Sequence, residues 1–369
     1  MIYLDHGATS FHKPPQVARA MQEALRCCAN PGRGGYRAAM TAAETVLRCR
    51  EGAGRMFDCA PEQVVVTSNC THGLNIAIRT LVQPGDRVVI SGFEHNAVTR
   101  PLHGLGVRTT VAGRKLFDWE DTLEDFERAL RERPRAAIFT HMSNVFGYIL
   151  PVDQMAALCR RYGVPFIVDA AQSAGTLPVR LGAWGADFVA MPGHKGLLGP
   201  QGTGLLLCGR SPEPLMAGGT GSESRNQDMP EFLPDRGEPG TLNVPGIAGL
   251  SAALAFLSRE GIDKIFCRER DAAARCARSL EKMGLQVFRG DHQGGTVSFV
   301  PGMDCEELAQ ALGARGIAVR AGLHCAPLAH ESAGTLHSGT VRVSFGHDAS
   351  HRQADALLQA LTRISPGER

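Results

Sequence analysis

The sequence lacks an excess of charge, a long apolar run and an N-terminal leader, and each absence excludes a class of protein. Its 369 residues include 39 Lys and Arg against 37 Asp and Glu, so the net charge of +2 provides no basic footprint for nucleic acid. No apolar run approaches the roughly 20 residues that cross a membrane. Residues 1–5 have neither the basic nor the apolar region of a signal peptide. We therefore expect a cytoplasmic protein with no nucleic-acid or membrane partner.

The sequence also lacks Cys-x-x-Cys pairs, although it contains 11 cysteines. Scattered cysteines in a chain of this size are typical of free thiols in a reducing cytosol, where most serve as small buried apolar residues. Metal binding is not indicated either, because the late histidines have no acidic or Cys partner at a recognisable ligand spacing. These histidines are His330, His337, His347 and His351. We expect no metal site.

Short apolar runs alternate with amphipathic stretches between about residues 60 and 210. Runs 63–67, 87–91, 108–111, 136–140, 166–169, 188–191 and 204–208 are predicted as strands. Helical spacing of apolar residues predicts helices over 74–81, 119–131 and 152–161. Strands that alternate with helices favour an α/β fold with a mainly parallel sheet covered on both faces.

The second half of the chain has a different composition. Residues 211–240 are rich in Pro, Gly, Ser and acidic residues, which predicts a long functional loop. Helices are predicted over 246–259, 264–283, 305–315 and 352–363, and strands over 296–300 and 340–344. We therefore expect a large domain (14–246) and a smaller α+β C-terminal domain (247–369), joined by the N-terminal segment 1–13.

Two chemically important residues follow neighbouring predicted strands. Asp169 ends the run 166–169, and Lys195 follows the run 188–191 in a Gly-His-Lys turn. Sites in parallel sheets gather at the carboxyl ends of the strands. Pyridoxal 5'-phosphate (PLP) needs a lysine for its Schiff base and an acid that keeps the ring nitrogen protonated. Taken alone, Asp169 could be a helix cap and Lys195 a solvated loop lysine. The two residues in this order, together with Gln172 and His194, predict a PLP site.

Two further features belong to the same edge of the predicted sheet. The strand 63–67 leads into a helix through residues 68–73, which include Cys70 and Thr71, and amides at a helix N-terminus bind anions. An ordinary N-cap would explain this segment equally well. His95 follows the strand 87–91, in the same row as Asp169 and Lys195, which favours a ring-stacking and proton-transfer role.

The C-terminal region carries a nucleophile and an arginine. Cys325 lies among Gly and Pro residues, which predicts an accessible loop, and the neighbouring His324 and Arg320 could favour its thiolate. Arg342 lies in the apolar run 340–344, where a guanidinium needs a partner such as an amino-acid carboxylate. An ordinary salt bridge is the alternative for Arg342.

Several strings occur in one order along nearly the whole chain. They are Tyr3-Leu-Asp5 with Ala8-Thr9, Glu94-His95, His141-Met-Ser-Asn144, Val168-Asp169-Ala-Ala-Gln172, Gly193-His194-Lys195, Pro239-Gly-Thr241-Leu-Asn243, and Arg320 through Cys325. Together they resemble the class V aminotransferase group of PLP enzymes, which implies an α/β PLP-dependent transferase of fold type I. The Gly-x-His-Cys-Ala string narrows the resemblance to cysteine desulfurases of the selenocysteine-lyase-like branch.

The resemblance implies a role for each matching residue. Lys195 bonds the cofactor, Asp169 pairs with the pyridinium nitrogen, Gln172 approaches the phenolic oxygen, and His95 stacks on the ring and moves protons. The phosphate is held by Thr71, His194 and, from a partner subunit, Thr241. Cys70 belongs to the same cofactor-binding segment, where it replaces the more usual Thr. The substrate is oriented by Asn144, Arg320 and Arg342. Cys325 takes sulfur from L-cysteine as a persulfide and alanine is released.

The resemblance also implies a homodimer with shared active sites and a sulfur-acceptor protein that serves iron–sulfur clusters or thio-cofactors. Some positions depart from the usual pattern: Pro192 replaces a Ser or Thr, and His6-Gly7 replaces Asn-Ala. The alternatives that stay open are a selenocysteine lyase, a cysteine C–S lyase, an aminotransferase and a non-catalytic PLP-binding protein.

Overall fold

The structure is a computed structural model, and it describes residues 1–32 and 34–364. Within these residues the strands are β1 (Ile2–Tyr3), β2 (Val64–Thr67), β3 (Arg87–Ser91), β4 (Arg108–Ala112), β5 (Ala136–Thr140), β6 (Phe166–Asp169), β7 (Phe188–Pro192), β8 (Gly204–Cys208), β9 (Gln286–Phe288), β10 (Thr296–Val300), β11 (Ile317–Ala318), β12 (Arg320–Gly322) and β13 (Thr340–Ser344). The seven strands expected between residues 60 and 210 are all present, each within one residue of its expected bounds.

Helices surround these strands. They are α1 (Pro15–Cys27), α2 (Arg37–Phe57), α3 (Cys70–Leu81), α4 (Asn96–Gly104), α5 (Trp119–Arg131), α6 (Val152–Tyr162), α7 (Leu181–Trp184), α8 (Val244–Glu260), α9 (Ile262–Lys282), α10 (Cys305–Ala314), α11 (Pro327–Ser332) and α12 (His351–Arg363). The predicted helices are confirmed with small changes of bounds, while α1, α2, α4, α7 and α11 were not anticipated. No helix in residues 1–32 and 34–364 combines the length and the apolarity that a membrane span requires.

A seven-stranded sheet forms the centre of the larger part of the fold. Its strand order is β2-β8-β7-β6-β5-β3-β4, and β8 runs antiparallel to both of its neighbours while β3 to β7 are mutually parallel. The prediction of an α/β fold with a mainly parallel sheet is therefore confirmed. The carboxyl ends of β5, β6 and β7 come together at one edge of this sheet.

Both faces of the large sheet are buried, as its nearly continuous apolar strands require. Val64 and Val66 pack into a core on one face, and Val65 packs into a second core on the other. Helices α2, α5, α6 and α8 cover the first face, while α3 and α4 cover the second. The strands are thus fixed from both sides, and so is the edge where they end.

The C-terminal part of the chain has its own antiparallel sheet, in the order β12-β13-β10-β9. A third core of α9, α10 and α12 covers this sheet, and Leu4 of the N-terminal segment is fully buried in it. β1 pairs in parallel with β11. The boundaries 14–246 and 247–369 stay predictions, and residues 365–369 lie outside the described residues.

Candidate active site

The carboxyl edge of the large sheet forms one wall of a cleft. Asp169 is the last residue of β6, and Lys195 lies three positions beyond the end of β7, its parallel neighbour. The predicted site residues that line this cleft are Cys70, Thr71, His95, Asn144, Asp169, Gln172, His194 and Lys195. Residues that are up to 125 positions apart in sequence therefore meet in one place, as the parallel topology predicts.

Lys195 has an environment suited to a nucleophilic amine. Burial lowers its pKa, while the negative charge of Asp169 acts in the opposite direction. A larger fraction of neutral amine is available at neutral pH, and the neutral amine is the form that attacks an aldehyde.

The turns that carry Asp169 and Lys195 are locked to each other by direct backbone contact. A Cβ atom on Gly175 would lie 2.2 Å from the carbonyl oxygen of Gly196, and one on Gly196 would lie 2.4 Å from that of Ala174. Gly175 also has φ +91°, which side-chain-bearing residues rarely adopt. Glycine at both positions lets the two turns touch, which fixes the amine relative to the carboxylate.

Asp169 is held in place by two hydrogen bonds. Its side chain is 2 % exposed, and its Oδ1 accepts from the backbone N–H of Ala171 at 2.9 Å and from Cys70 Sγ at 3.4 Å. Burial raises the pKa of the Cys70 thiol well above its ordinary value, so it stays protonated and donates. Both bonds orient the carboxylate through its Oδ1 atom.

Cys70 and Thr71 are the first two residues of α3, whose N-terminus opens toward the cleft. Asn69 is the N-cap, and its side chain accepts the N–H of His72 at 2.9 Å. The partial positive charge of a helix N-terminus favours a bound phosphate. The helix N-terminus lines the cleft, and its role as a phosphate cradle stays a prediction.

His194 lies on the same side of the cleft, between the amine and the N-terminal segment. Its Nδ1 lies 3.1 Å from Thr9 Oγ1, and its carbonyl accepts from the backbone N–H of Ser10 at 2.9 Å. Burial, with a smaller contribution from Lys195, lowers its pKa to about 4. His194 is therefore neutral at neutral pH and offers a hydrogen-bond donor rather than a charge.

His95 is the N-cap of α4, a helix that was not anticipated. Its Nδ1 accepts the N–H of Ala97 at 3.0 Å, so the ring proton of the neutral form lies on Nε2. Burial is the largest cause of its lowered pKa, and Asp169 acts in the opposite direction. The cap fixes the orientation of an imidazole that lines the cleft beside Lys195.

The residue before His95 is a buried acid that sequence reasoning missed. Glu94 is fully buried; its Oε1 accepts from Ser91 Oγ and from the N–H of Thr140, and no described residue offers a partner to its Oε2. Burial raises its pKa to about 8, so it is protonated at neutral pH. Its place in the Glu94-His95 string was the available signal.

Cys325 is exposed, in a short loop between β12 and α11, as predicted. Its φ is +57° and that of His324 is +50°, a region that side-chain-bearing residues rarely occupy. Such backbone conformations persist where the surroundings impose them. The carbonyl of Cys325 accepts the N–H of Asn96 at 2.7 Å, and that of His324 accepts Asn144 Nδ2 at 2.8 Å. The loop is therefore attached next to His95.

The expectation that His324 favours the Cys325 thiolate is wrong. His324 is buried, and burial together with Arg342 lowers its pKa to about 2, so the imidazole is uncharged. Its Nε2 lies 3.2 Å from Thr340 Oγ1. Arg320 remains as the neighbouring positive charge, because Cys325 is among the groups that raise its pKa, although Asp5 raises it more.

Arg342 is 2 % exposed and already has partners within the protein. Its guanidinium donates to Asp5 Oδ1 at 2.7 Å and to the carbonyl of Asn144 at 3.0 Å, whereas its Nε has no partner among the described residues. Arg320 donates to the same carboxylate at 2.9 and 3.0 Å. Asp5 joins both predicted substrate-binding arginines, and sequence reasoning missed it although it lies in a recognised string.

Two predicted residues lie differently from the rest. Gln172 lines the cleft, but its amide donates to the carbonyl of Gly7 at 3.0 Å, which ties it to the N-terminal segment. Thr241 is exposed and lines a second cleft together with Leu47 and Arg50. The residues described in this chain do not bring Thr241 to Lys195, and its expected contribution was to the site of a partner subunit.

The donor set suits PLP. A buried amine of lowered pKa, a buried carboxylate, a histidine ring and a helix N-terminus line one cleft, and each matches one part of that cofactor: aldehyde, ring nitrogen, ring face and phosphate.

Comparison with known proteins gives consistent results. The family model described as aminotransferase class-V matches residues 2–357. A probable cysteine desulfurase of Methanothermobacter thermautotrophicus is 33% identical over 384 residues, covering 99% of this chain and 94% of the relative. One of Pyrococcus abyssi is 30% identical, with 99% and 94% covered.

Solved structures that resemble this chain are also cysteine desulfurases. The apo structure of a cysteine desulfurase from Thermococcus onnurineus NA1 superposes with a TM-score of 0.91 at 30% identity, covering 99% of this chain and 95% of that one. A cysteine desulfurase of Escherichia coli gives a TM-score of 0.84 at 27% identity, with 98% and 94% covered.

Proposed function

The chain belongs to the class-V aminotransferase family, whose members use PLP in a type I fold, and on that premise we propose that it is an L-cysteine desulfurase. It forms a persulfide on Cys325 and releases L-alanine. The observation that supports this most strongly is the attachment of the exposed Cys325 loop to the cofactor cleft, through the 2.7 Å hydrogen bond from Asn96.

We assign the residues of the cleft to parts of the cofactor. Lys195 anchors the aldehyde carbon, Asp169 holds the proton of the ring nitrogen, and His95 covers the ring. Gln172 lies near the phenolic oxygen, and Cys70, Thr71 and His194 surround the phosphate. When bound, PLP withdraws electrons from the substrate carbon atoms.

The protein's own groups bind and orient the substrate. Arg342 takes the α-carboxylate through its fork of donors, with Asn144 and Arg320 beside it. His95, whose Nε2 faces the cleft, moves protons to and from the substrate. The hydrogen bonds from Asn96 and Asn144 to the loop carbonyls keep the Cys325 thiol on the same side as the substrate sulfur.

The sulfur transfer balances without an oxidant. The Cys325 thiolate attacks the sulfur of L-cysteine, so that an S–S bond forms and the C–S bond of the substrate breaks. The electron pair of that bond stays with the substrate carbon, which takes up one proton to become the methyl group of alanine. Arg320 is the nearby positive charge in the described chain.

The test compares Cys325→Ala with Cys267→Ala, since Cys267 is a second exposed thiol that lies outside the cleft. After a pulse of L-cysteine, mass spectrometry should place the extra sulfur of the wild-type protein on the peptide containing Cys325. The Cys325→Ala protein should lose persulfide and alanine at least a hundredfold, and Cys267→Ala should keep both. Unimpaired alanine formation without Cys325 would overturn the proposal, and pyruvate as the main product would instead identify a C–S lyase.

We further propose a cytoplasmic homodimer that passes sulfur to an acceptor protein. The face of α2 that carries Met40 and Leu47 is exposed, and Leu47 lines the same cleft as Thr241. Packing a second copy over this face would cover apolar surface and bring Thr241 toward the phosphate site of the partner.

A further inference from the structure

Three metal-ligating side chains meet outside the proposed active site. His6, His12 and Asp348 each offer one ligand atom, and the three atoms lie within 4.8 Å of one another. The N-terminal segment supplies both histidines, and the loop after β13 supplies the carboxylate. This group could not be predicted from sequence, because 336 positions separate His12 from Asp348.

His6 is aimed at Asp348, and its ring packs edge-on against Tyr3. Its side chain is 5% exposed, and neither ring nitrogen has a hydrogen-bond partner among the described residues. Its Nδ1 faces the backbone of Gly346, where an added Cβ would lie 2.2 Å from it. Its Nε2 lies 3.7 Å from Asp348 Oδ1, which is itself buried and without a partner in the described chain. A buried imidazole whose two nitrogens have no partner destabilises the folded protein unless a ligand binds to it.

The distances suit one tetrahedral cation. Zinc binds imidazole nitrogen and carboxylate oxygen at about 2.0–2.2 Å, which separates two donors by about 3.3 Å. His6 Nε2 and Asp348 Oδ1 are 3.7 Å apart, and His12 Nδ1 and Asp348 Oδ2 are 2.8 Å apart. The 2.8 Å contact is a hydrogen bond, which the ion would replace as the exposed His12 side chain turns. His12 is half exposed, so the ion has an entry path and a position for water.

We propose that His6, His12 and Asp348 bind one zinc-class divalent cation that ties the N-terminal segment to the loop after β13. Two imidazoles and one carboxylate are borderline ligands typical of zinc. The proposal revises the expectation of no metal and does not depend on the proposed desulfurase reaction.

The ion would act on a segment that reaches the active site. Asp5, next to His6, pairs with Arg342, and the carbonyl of Gly7 accepts from Gln172. Binding should therefore stabilise the folded protein and hold the segment in the arrangement seen here.

The test measures zinc binding to the tag-free, PLP-loaded protein by equilibrium dialysis. The wild-type protein should bind one high-affinity equivalent per chain and show a higher Tm with zinc. His6→Asn, His12→Gln and Asp348→Asn should each weaken that equivalent at least tenfold and abolish the Tm shift. His337→Ala, which removes an exposed histidine elsewhere, should leave both unchanged.

Cobalt(II) distinguishes this site from the 11 cysteines. Tetrahedral cobalt at the proposed site should give visible absorption bands without a thiolate charge-transfer band in the near ultraviolet. A thiolate band, or a stoichiometry unchanged in His12→Gln and Asp348→Asn, would overturn the proposal. His12 is half exposed, so its replacement tests the site even if His6→Asn fails to fold.

Discussion

At the scale of single residues, the desolvated amine of Lys195 is the group that we propose bonds the cofactor. We expect Lys195→Ala to abolish the visible absorbance of the lysine-bound cofactor and its covalent attachment on borohydride reduction. Lys13→Ala is the matched control, because burial lowers the pKa of Lys13 to about 8, so that it is the other amine that could react. A borohydride-stable link in the Lys195→Ala protein would contradict the assignment.

Glu94 makes the folding stability depend on pH through its buried side chain. Its pKa is about 8 in the folded protein against 4.5 ordinarily, so the unfolded chain ionises first as pH rises. Between about pH 4.5 and about pH 8 the native state therefore binds more protons at Glu94 than the unfolded chain does. The contribution of Glu94 to the free energy of unfolding decreases over this pH range and is constant above it. Glutamine keeps the acceptor for Ser91 and Thr140 but does not ionise.

The stability of Glu94→Gln relative to the wild-type protein should therefore increase between about pH 5.5 and about pH 8.5. The change in unfolding free energy should be on the order of 1–3 kcal/mol, and it is followed through the difference in Tm between the two proteins. Glu62→Gln, at an exposed position, should show a constant difference. Parallel pH profiles for Glu94→Gln and the wild-type protein would mean that Glu94 is ionised when folded.

At the scale of elements, the start of α3 links helix stability to cofactor affinity. Asn69→Ala removes the acceptor for the N–H of His72 and should cost about 1 kcal/mol of unfolding free energy. Fraying of the first turn should also weaken retention of PLP, measured by dialysis. Asp304→Ala removes the cap of α10, so it should cost similar stability yet retain the cofactor. Equal retention in the two variants would place the phosphate elsewhere.

The helices and strands that could be predicted from sequence are those that bury large apolar side chains. Strands of the central sheet, such as β3 with its run Arg87–Ser91, are buried on both faces and read as continuous apolar runs. Helix α2 was missed because it buries small residues, including Ala39, Ala42 and Ala53, against α8. Alanine has little hydrophobic contrast, so no helical period stands out.

The residues of the candidate site also fall into those that could be placed from sequence and those that could not. Asp169, His95 and Lys195 could be placed together because parallel strands end at one edge. The pair of Asp5 and Arg342 could not, since the two residues are 337 positions apart and meet through the packing of the N-terminal segment on β13. The neutrality of His324 also depends on burial that local sequence does not reveal.

At the scale of the whole molecule, the separation of Thr241 from Lys195 predicts complementation between subunits. Lys195→Ala and Thr241→Ala should each be impaired alone. In a mixed dimer, one site combines Lys195 from the Thr241→Ala chain with Thr241 from the Lys195→Ala chain. Mixing the variants under subunit exchange should therefore restore up to about a quarter of wild-type activity, because half of the dimers are mixed and each has one intact site of two. No recovery in a mixture shown to exchange subunits would indicate that Thr241 acts within its own chain or not at all.

With the proposed role of Arg342 in substrate binding, the carboxylate of Asp5, which holds Arg342 and Arg320, makes substrate capture an exchange reaction. An amino acid that binds Arg342 replaces one carboxylate by another, so the buried guanidinium is neutralised before, during and after occupancy. The net gain from this contact is correspondingly small, which limits the residence of simple anions and of product. When alanine leaves, Asp5 can return to the arginine and offset the lost ion pair. This exchange favours rapid release of the product over tight binding of carboxylates.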